Sequence, residues 1–333
     1  MHREYWYPAC ASSQLGAKPQ AVQILDQELV VFRDGASRAC ALVNRCCHRG
    51  VKLSLGRITD GNLACGYHGW QYDGKGCCVR VPSLPKAVAA PGLFRVRAFK
   101  CVERDGYIWV WMGEGEPDPA EPEPIPDFAE YSWTQGVSPM ACSATMTIEN
   151  QFDSAHPAFA HEGTHPSYYA ARVSGPRDFS FEVRTSEDGM VSFFPCTDSD
   201  DAPVPSDFNS YTRFQLPSRV YVHQRLLHFN FFVVMHIVPT GPNTCRMEWL
   251  QRKKKGEHSV TWIEQEPLLI TQDRVLLESA QPAYDAGDDF ERSVSADFVT
   301  MMVRKVVALA ESGRWKQDRE QLLPKRHLVK SRV

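Results

Sequence analysis

Short runs of apolar residues, separated by turn residues, dominate roughly the first hundred positions of the chain. The runs are rich in β-branched and aromatic side chains, and glycine, aspartate or asparagine closes most of them. Strands this short and this regularly spaced are typical of a compact antiparallel barrel or sandwich. We therefore predict an all-β region with strands at 21–25, 28–35, 40–44, 70–76, 94–100 and 106–113.

A proline-rich, acidic segment then interrupts the pattern, with the sequence GEGEPDPAEPEPIPDF at 113–128. Closely spaced prolines remove backbone donors and fix φ, so this segment excludes a regular helix or strand and is typical of a semi-extended linker. We therefore divide the chain into a first domain at 1–113, a linker at 114–128 and a second domain at 129–333.

The second domain mixes helical and strand patterns, which predicts an α+β fold with an antiparallel sheet and helices packed across it. Pro267 stands near the start of one predicted helix, and Pro282 is expected to follow its end. The basic tail at 322–333 is expected to be a solvated end. Helices are predicted at about 147–156, 266–280 and 294–312, and strands at 219–223, 229–238 and 244–251.

The composition is that of an ordinary globular protein, with 43% hydrophobic residues and a net charge of −3 over 333 residues. This balance argues against nucleic acid or an anionic membrane as the main partner. The longest apolar run, at 229–238, is too short to cross a bilayer, and the first residues show no signal-peptide pattern. We therefore expect a cytoplasmic protein, in which the odd number of cysteines, 11, argues against a disulfide framework.

Two short segments each combine one cysteine with one histidine. The spacing is Cys46-x-His48 in the first and Cys65-x2-His68 in the second, with glycine close to both histidines. A zinc site would use the same ligand types, but structural zinc sites usually pair like with like along the chain. Mixed pairs suit a two-iron cluster with cysteines on one iron and histidines on the other. In this spacing Cys47 is a neighbour that the motif does not require.

A second set of candidate ligands follows the acidic segment, in ENQFDSAHPAFAHEG at 149–163. Asp153 and His156 are predicted to share one helical face, and Pro157 is expected to push His156 out of the helical region and end the helix there. His161 would then return from the next turn. Two imidazoles and one carboxylate on one face of an iron ion form the facial triad of non-haem oxygenases, although histidines at this spacing can also be ordinary loop residues.

Asp273 is the candidate carboxylate, because it lies on the apolar side of its predicted helix. Burying an unpaired carboxylate is costly, so a metal ion or a buried Arg or Lys would be needed beside it. Glu278 and the acids at 283–290 are weaker candidates, since they lie off that side or in a loop. The apolar neighbours of Asp273 at helical spacing are Leu269, Ile270, Leu276 and Leu277.

The sequence CCHRG…CGYHGW resembles the Rieske motif of the large terminal subunits of Rieske non-haem iron oxygenases. The resemblance implies a [2Fe-2S] cluster with Cys46 and Cys65 on one iron and His48 and His68 on the other. Cys47 occupies a position that the family fills with various residues. The implied fold is an N-terminal all-β Rieske domain followed by an α+β catalytic domain of the helix-grip, START-like type.

The resemblance extends to the second set of ligands. The segment from Asn150 to His161 resembles the catalytic-domain motif of the same family, and QDRVLLESAQP at 272–282 resembles the helix that carries its carboxylate ligand. By this match His156, His161 and Asp273 bind a mononuclear non-haem Fe(II). Asp153 resembles the carboxylate that carries electrons between subunits, from one chain's Rieske histidine to its neighbour's iron.

The resemblance implies a terminal oxygenase that uses O2 and electrons from a separate flavin reductase, a ferredoxin or both, assembled as a homotrimer. We expect monooxygenation, as hydroxylation or oxidative demethylation, of an aromatic or polycyclic small molecule, with ring cis-dihydroxylation as the alternative. A Rieske electron carrier and a zinc hydrolase using His156, His161 and Asp273 are rival functions. The predicted pocket strands carry aromatic residues and a histidine that are consistent with an apolar substrate but fit an ordinary core equally well: Phe229, Phe231, Phe232 and His236.

Overall fold

A computed structural model describes residues 3–85, 92–117, 122–162, 164, 178–194, 210–226, 229–253, 268–287, 290–322 and 326–332. From Arg3 onward, backbone contacts divide the chain into two compact units, Arg3–Phe128 and Ala129–Val333.

The first unit is built from short antiparallel strands, as the apolar pattern predicts. They form three sheets with the orders β1-β11-β10, β2-β3-β4-β9 and β5-β6-β7-β8. The strands are β1 (Trp6–Ala11), β2 (Gln20–Ile24), β3 (Gln27–Arg33), β4 (Ala39–Val43), β5 (Arg57–Thr59), β6 (Asn62–Ala64), β7 (Gln71–Tyr72), β8 (Cys78–Arg80), β9 (Ala98–Phe99), β10 (Cys101–Arg104) and β11 (Tyr107–Trp111).

Two predicted strands are reduced to two residues each. The strand expected at 70–76 ends at Tyr72, because Asp73 begins a turn in which its carboxylate accepts the backbone N–H groups of Lys75 and Cys77, at 2.9 and 2.8 Å. The strand expected at 94–100 is reduced to Ala98–Phe99 and an isolated bridge at Arg95.

The described part of the acidic segment packs on the first unit. Ile125 is buried and its N–H donates to the Asp105 carboxylate at 2.5 Å, while Arg104 donates to the Pro122 carbonyl at 3.0 Å. The segment is thus held by side chains of the β10–β11 hairpin and not by strand pairing.

The second unit carries one antiparallel sheet of the order β12-β18-β17-β16-β15-β14-β13-β19. Its strands are β12 (Ser132–Met140), β13 (Asp178–Ser186), β14 (Gly189–Phe194), β15 (Ser210–Gln215), β16 (Arg219–Leu226), β17 (Phe229–Gly241), β18 (Thr244–Lys253) and β19 (Arg326–Arg332). Its α-helices in the described ranges are α1 (Ala144–Phe152), α2 (Pro157–Ala160), α3 (Leu268–Ala286), α4 (Phe298–Glu311) and α5 (Trp315–Leu322).

The helices α1, α3 and α4 pack on one face of this sheet, which confirms the predicted α+β arrangement. Alternate residues of the central strands, such as Val233, Met235 and Ile237, enter the core that α4 closes with Met302 and Val306. The period of two in the strands and the spacing of four in the helix therefore meet in one apolar core.

Helix α3 continues past Pro282, so the prediction that this proline follows the helix is wrong. A proline inside a helix costs roughly 3 kcal/mol. Tertiary hydrogen bonds from the preceding turn oppose that cost: Glu278 accepts the N–H of Ala141 at 2.8 Å, and Gln281 accepts the N–H of Ser143 at 2.7 Å.

The prediction of a solvated basic tail is also wrong, because residues 326–332 form β19 at the edge of the sheet. Val329 enters the core while its neighbours Leu328 and Lys330 are exposed, and Arg326 pairs with the buried Glu182 at 2.8 Å. One inward-facing apolar residue is enough for a strand when a partner such as β13 is available.

Within the described helices, no helix has the length and apolar character needed to cross a membrane. The ten cysteines of the described ranges are all free thiols.

Candidate metal centres

The two predicted cluster loops have the same backbone design. In the first loop the N–H of Cys46 donates to the carbonyl of Val51 and Gly50 donates back to Cys46, at 2.8 and 2.9 Å. In the second, Cys65 donates to Trp70 and Gly69 donates back to Cys65, at 2.8 and 3.0 Å. Gly50 and Gly69 close the loops with φ of +75° and +70°, a conformation that favours glycine. Each loop therefore presents its cysteine and histidine on a matched, tightly closed turn.

Cys46 and Cys65 lie side by side in the core of the first unit. Both are almost fully buried, at 3% and 2% exposure, and their thiols are within hydrogen-bonding distance. Burial raises the pKa of the Cys65 thiol, while the backbone N–H groups of Tyr67 and His68 donate to it and act in the opposite sense. Cys47 is exposed, and its sulfur lies 3.3 Å from the Tyr72 hydroxyl.

His48 and His68 form the other half of this site. Their ring centroids are 4.7 Å apart, and the ring of His48 stacks on Trp70 at 4.5 Å. The Nδ1 atom of His48 is buried without a hydrogen-bond partner, which is costly unless another group occupies it. A pair of thiols beside a pair of imidazoles, one with an orphaned nitrogen, fits a [2Fe-2S] cluster held by these four residues.

In the second unit the predicted helix over 147–156 ends earlier than expected. Ser143 caps α1 by accepting the N–H of Met146, and the helix ends at Phe152. Asp153 leaves the helical conformation, and its carboxylate accepts the N–H groups of Ala155 and His156 at 2.9 and 3.3 Å.

The expectation that Asp153 and His156 share one helical face is therefore wrong, as is the expected break at His156. The backbone of His156 is helical, because Pro157 is the first residue of α2, a position where its missing N–H costs nothing. The side chain of Asp153 hydrogen-bonds to the backbone just after it, and this Asx turn ends α1 at Phe152, before the chain reaches Pro157.

The structure brings His156, His161 and Asp273 together. One ligand atom from each lies within 4.8 Å of the others, and Nε2 of each histidine is 3.5 or 3.4 Å from Oδ1 of Asp273. His161 and Asp273 are buried and His156 is partly exposed, so the site has an open side. Two imidazoles and one carboxylate in this arrangement fit a divalent iron ion with open coordination positions.

Both histidines are oriented through the nitrogen that faces away from Asp273. Nδ1 of His156 donates to the carbonyl of Asp153 at 2.9 Å, and Nδ1 of His161 donates to the side-chain oxygen of Gln272 at 3.1 Å. A carbonyl oxygen only accepts, so each ring carries its proton on Nδ1. Nε2 then presents a lone pair to the site.

Burial raises the pKa of Asp273 to about 7, with Asp153 adding to the rise and the Asn150 amide opposing it. Burial also lowers the pKa of His161, which favours the neutral imidazole that a metal needs. A cation at this position would restore the ionised form of Asp273. In the described residues Asp273 makes no ion pair with Arg or Lys, so the salt-bridge alternative does not explain its burial.

Asn150 and Gln272 are functional candidates that the sequence analysis did not assign. Asn150 donates to Asp273 at 3.3 Å and lies 3.4 Å from Nε2 of His156. Gln272 accepts from both His161 and Thr164, at 3.1 and 2.9 Å. Both are amide residues close in sequence to a proposed ligand, and that proximity is the signal by which the sequence could have indicated their role. Of the expected pocket residues, Phe232 and His236 are buried in the sheet, and the side chains of Phe229 and Phe231 lie outside the described part.

Comparison with known proteins identifies both parts of the chain. Residues 5–100 match the family model of the Rieske [2Fe-2S] domain, and residues 140–311 match that of the vanillate O-demethylase oxygenase C-terminal domain. Methylxanthine N1-demethylase NdmA of Pseudomonas putida is 30% identical over 333 residues, covering 91% of this chain and 87% of that protein. The vanillate O-demethylase oxygenase subunit of a Pseudomonas species (strain HR199) is 36% identical over 165 residues, 47% of this chain and 44% of that protein.

Solved structures give the same result for the fold. The structure of NdmA with caffeine matches with a TM-score of 0.77 and 25% identity, over 95% of this chain and 94% of that one. Dicamba monooxygenase bound to dicamba matches with a TM-score of 0.74 and 23% identity, over 93% and 97%.

The chain belongs to the Rieske oxygenases, oxidoreductases that incorporate oxygen from O2. The predicted family, enzyme class and order of an all-β Rieske domain before an α+β catalytic domain are thereby confirmed. Its first domain is a Rieske [2Fe-2S] domain, and components of this type work with a small-molecule substrate and a separate reductase or ferredoxin.

Proposed function

We propose that this chain is the terminal oxygenase of an oxidative demethylation system acting on N- or O-methylated aromatic molecules. The observation that carries the proposal is the set of His156, His161 and Asp273, with both imidazoles fixed so that Nε2 meets the carboxylate. A bound iron at this site would supply oxygen activation, and the partly exposed His156 leaves one side for the substrate. The relatives named above act on a methylxanthine and on vanillate, which supports a methyl group as the target.

In the proposed site each residue has a separate task. Asn150 and Gln272 hold Asp273 and His161 in place through their amides. Asp153 fixes the turn that carries His156 and holds its ring through the main-chain carbonyl. The four residues Cys46, His48, Cys65 and His68 hold the [2Fe-2S] cluster that supplies electrons singly.

We also propose that electrons pass between subunits of a homotrimer, from a cluster histidine of one chain through Asp153 of its neighbour. Asp153 suits this role because it is directly hydrogen-bonded to the turn that carries the ligand His156 and is itself partly exposed. The ten described cysteines are free, a state that the cytoplasm maintains, and we place the enzyme there.

The test is a substrate screen with the reconstituted protein, a reductase system, and paired methylated and unmethylated compounds, such as methoxybenzoates with hydroxybenzoates and methylxanthines with xanthine. Demethylation consumes one O2, two electrons and two protons and releases one formaldehyde and one water for each demethylated product. Formaldehyde and product in equal amounts from a methylated compound would support the proposal. A ring cis-diol without formaldehyde would overturn it in favour of dihydroxylation.

A further inference from the structure

One guanidinium joins three helices of the second unit. Arg304, on α4, donates from Nε and Nη2 to the two carboxylate oxygens of Glu149 on α1, at 2.7 and 2.9 Å. It also donates from Nη1 and Nη2 to Glu291, which precedes α4, at 2.6 and 2.8 Å. Its central carbon lies 5.5 Å from the ring centroid of Tyr284 on α3, within the range of a cation–π contact. Arg304 therefore contacts α1 and α3, the two helices that carry Asn150 and Asp273.

The two carboxylate partners of Arg304 differ in burial. Glu149 is only 7% exposed, whereas the side chain of Glu291 is 46% exposed, so water and salt screen the second pair. Burial raises the pKa of Glu149, and Arg304 acts in the opposite sense. A planar guanidinium bound to both oxygens of a buried carboxylate fixes direction as well as distance. The contact with Glu149 is therefore the one that can hold a helix in a set orientation.

Glu149 is the residue directly before Asn150 on α1. Successive side chains of an α-helix point about 100° apart, so Glu149 can face Arg304 while Asn150 faces the proposed iron site. The amide of Asn150 donates to Asp273 at 3.3 Å and lies 3.4 Å from Nε2 of His156. Because α1 has only nine residues, its orientation depends on tertiary contacts such as that of Glu149 with Arg304.

We propose that Arg304 is a positioning residue for the mononuclear metal site: through Glu149 it fixes the rotation of α1 and so holds the Asn150 amide against Asp273. The proposal rests on the proposed function, since that function places an iron ion at this site. Arg304 bonds to Glu149 and Glu291 and to no proposed ligand, so its influence on the metal passes through α1. Its effect on metal binding should therefore require the side chain of Asn150.

The test measures metal binding in the absence of substrate. The holoprotein is freed of its mononuclear iron with a chelator, keeps its cluster, and is dialysed anaerobically against isotopically labelled Fe(II). For E149Q/R304M, which neutralises both partners, we expect the affinity for Fe(II) to fall about ten-fold, as for other groups that orient metal ligands. The electron paramagnetic resonance spectrum of the nitric oxide adduct of the bound Fe(II) should also change its line shape, because the ligand geometry changes.

A double-mutant cycle with Asn150 separates positioning from general stability. Added to Asn150→Ala, the pair E149Q/R304M should lower the affinity for Fe(II) by less than about two-fold, since the amide through which Arg304 acts is already gone. A general loosening of the helices would instead lower the affinity by the same factor in both backgrounds.

Two further variants serve as controls. Glu291→Gln removes the exposed partner of the same arginine and should keep the affinity for Fe(II) within about two-fold. Arg304→Lys keeps the charge but loses the planar fork, and we expect a loss of about three-fold. This variant carries the test if E149Q/R304M does not fold.

Wild-type affinity for Fe(II) in E149Q/R304M, or in Arg304→Lys where the double variant does not fold, would overturn the proposal. So would an equal loss with and without the Asn150 side chain, or a loss in Glu291→Gln as large as that in E149Q/R304M. None of these measurements uses a substrate, so a failure of the demethylase proposal, seen as missing formaldehyde, remains distinguishable.

Discussion

The proposed cluster site and the proposed iron site share histidine nitrogens, but the first adds cysteine sulfur and the second adds carboxylate oxygen, and the two are built in different ways. The cluster residues lie between positions 46 and 68, on two loops with one hydrogen-bond pattern. The iron residues come from two segments, with His156 and His161 on one and Asp273 on helix α3. The first site is fixed by local backbone geometry, whereas the second depends on packing of α1 and α3 and on amides that bridge them.

The largest effect is expected at the cluster loops. Cys46→Ala should abolish the visible spectrum of the cluster, because Cys46 is the buried partner of Cys65. Cys47→Ala is the matched control and should leave the spectrum in place, since Cys47 is exposed. The opposite pattern would show that the first loop is assigned one position out of place.

A nearly equal effect is expected at the iron site. Asp273→Ala should remove the mononuclear iron and reduce turnover by at least about 100-fold, while the cluster spectrum is unchanged. Glu278→Ala, on the same helix, breaks a hydrogen bond to Ala141 and should leave iron binding intact. Iron analysis and absorbance of the purified variants decide this, and full iron content in Asp273→Ala would refute the ligand assignment.

A smaller effect is expected from Gln272, which holds the ring of His161. Gln272→Ala should weaken iron binding by about ten- to 100-fold, the usual cost of losing a hydrogen bond to a ligand. Gln272→Glu keeps an acceptor for Nδ1 and should retain most of the affinity. If both variants bind iron as tightly as the wild type, the bridge from α3 to His161 is not needed for the site.

The smallest effect is the dependence of iron binding on pH. Asp273 has a pKa of about 7 and must be ionised to bind a metal, so protons compete with iron below that value. Affinity of the iron-free protein for Fe(II) should rise with pH up to about 7 and then level off. Asn150→Ala should move this midpoint upward, because the amide lowers the pKa of Asp273. Affinity that does not vary between about pH 6 and 8 would contradict the prediction.

This difference also explains what the sequence could predict. Two short segments carry the proposed cluster ligands together with the glycines that close their loops, so the pattern is visible in the sequence: Cys46, His48, Cys65 and His68. Asn150 and Gln272 could not be assigned, since their roles depend on how α1 and α3 face each other.

The errors in secondary structure have similar causes. Asp153 ends α1 through a side-chain hydrogen bond that competes with the helix. The prediction instead assigned the end of the helix to Pro157, which in the structure begins α2. The strand at 326–332 could not be read from its own basic sequence, because it exists through pairing with β13.

The most direct test of the central claim is a single turnover in the absence of any reductase. The protein is reduced chemically, the excess reductant is removed, and a methylated substrate that the screen identifies is added with O2. We expect oxidation of the [2Fe-2S] cluster and formation of formaldehyde to proceed together in the wild type. Asp153→Asn should retain the cluster and the mononuclear iron, yet oxidise its cluster and form formaldehyde more slowly than the wild type. Unchanged kinetics in Asp153→Asn, or cluster oxidation without product in the wild type, would contradict the claim that the two sites act together.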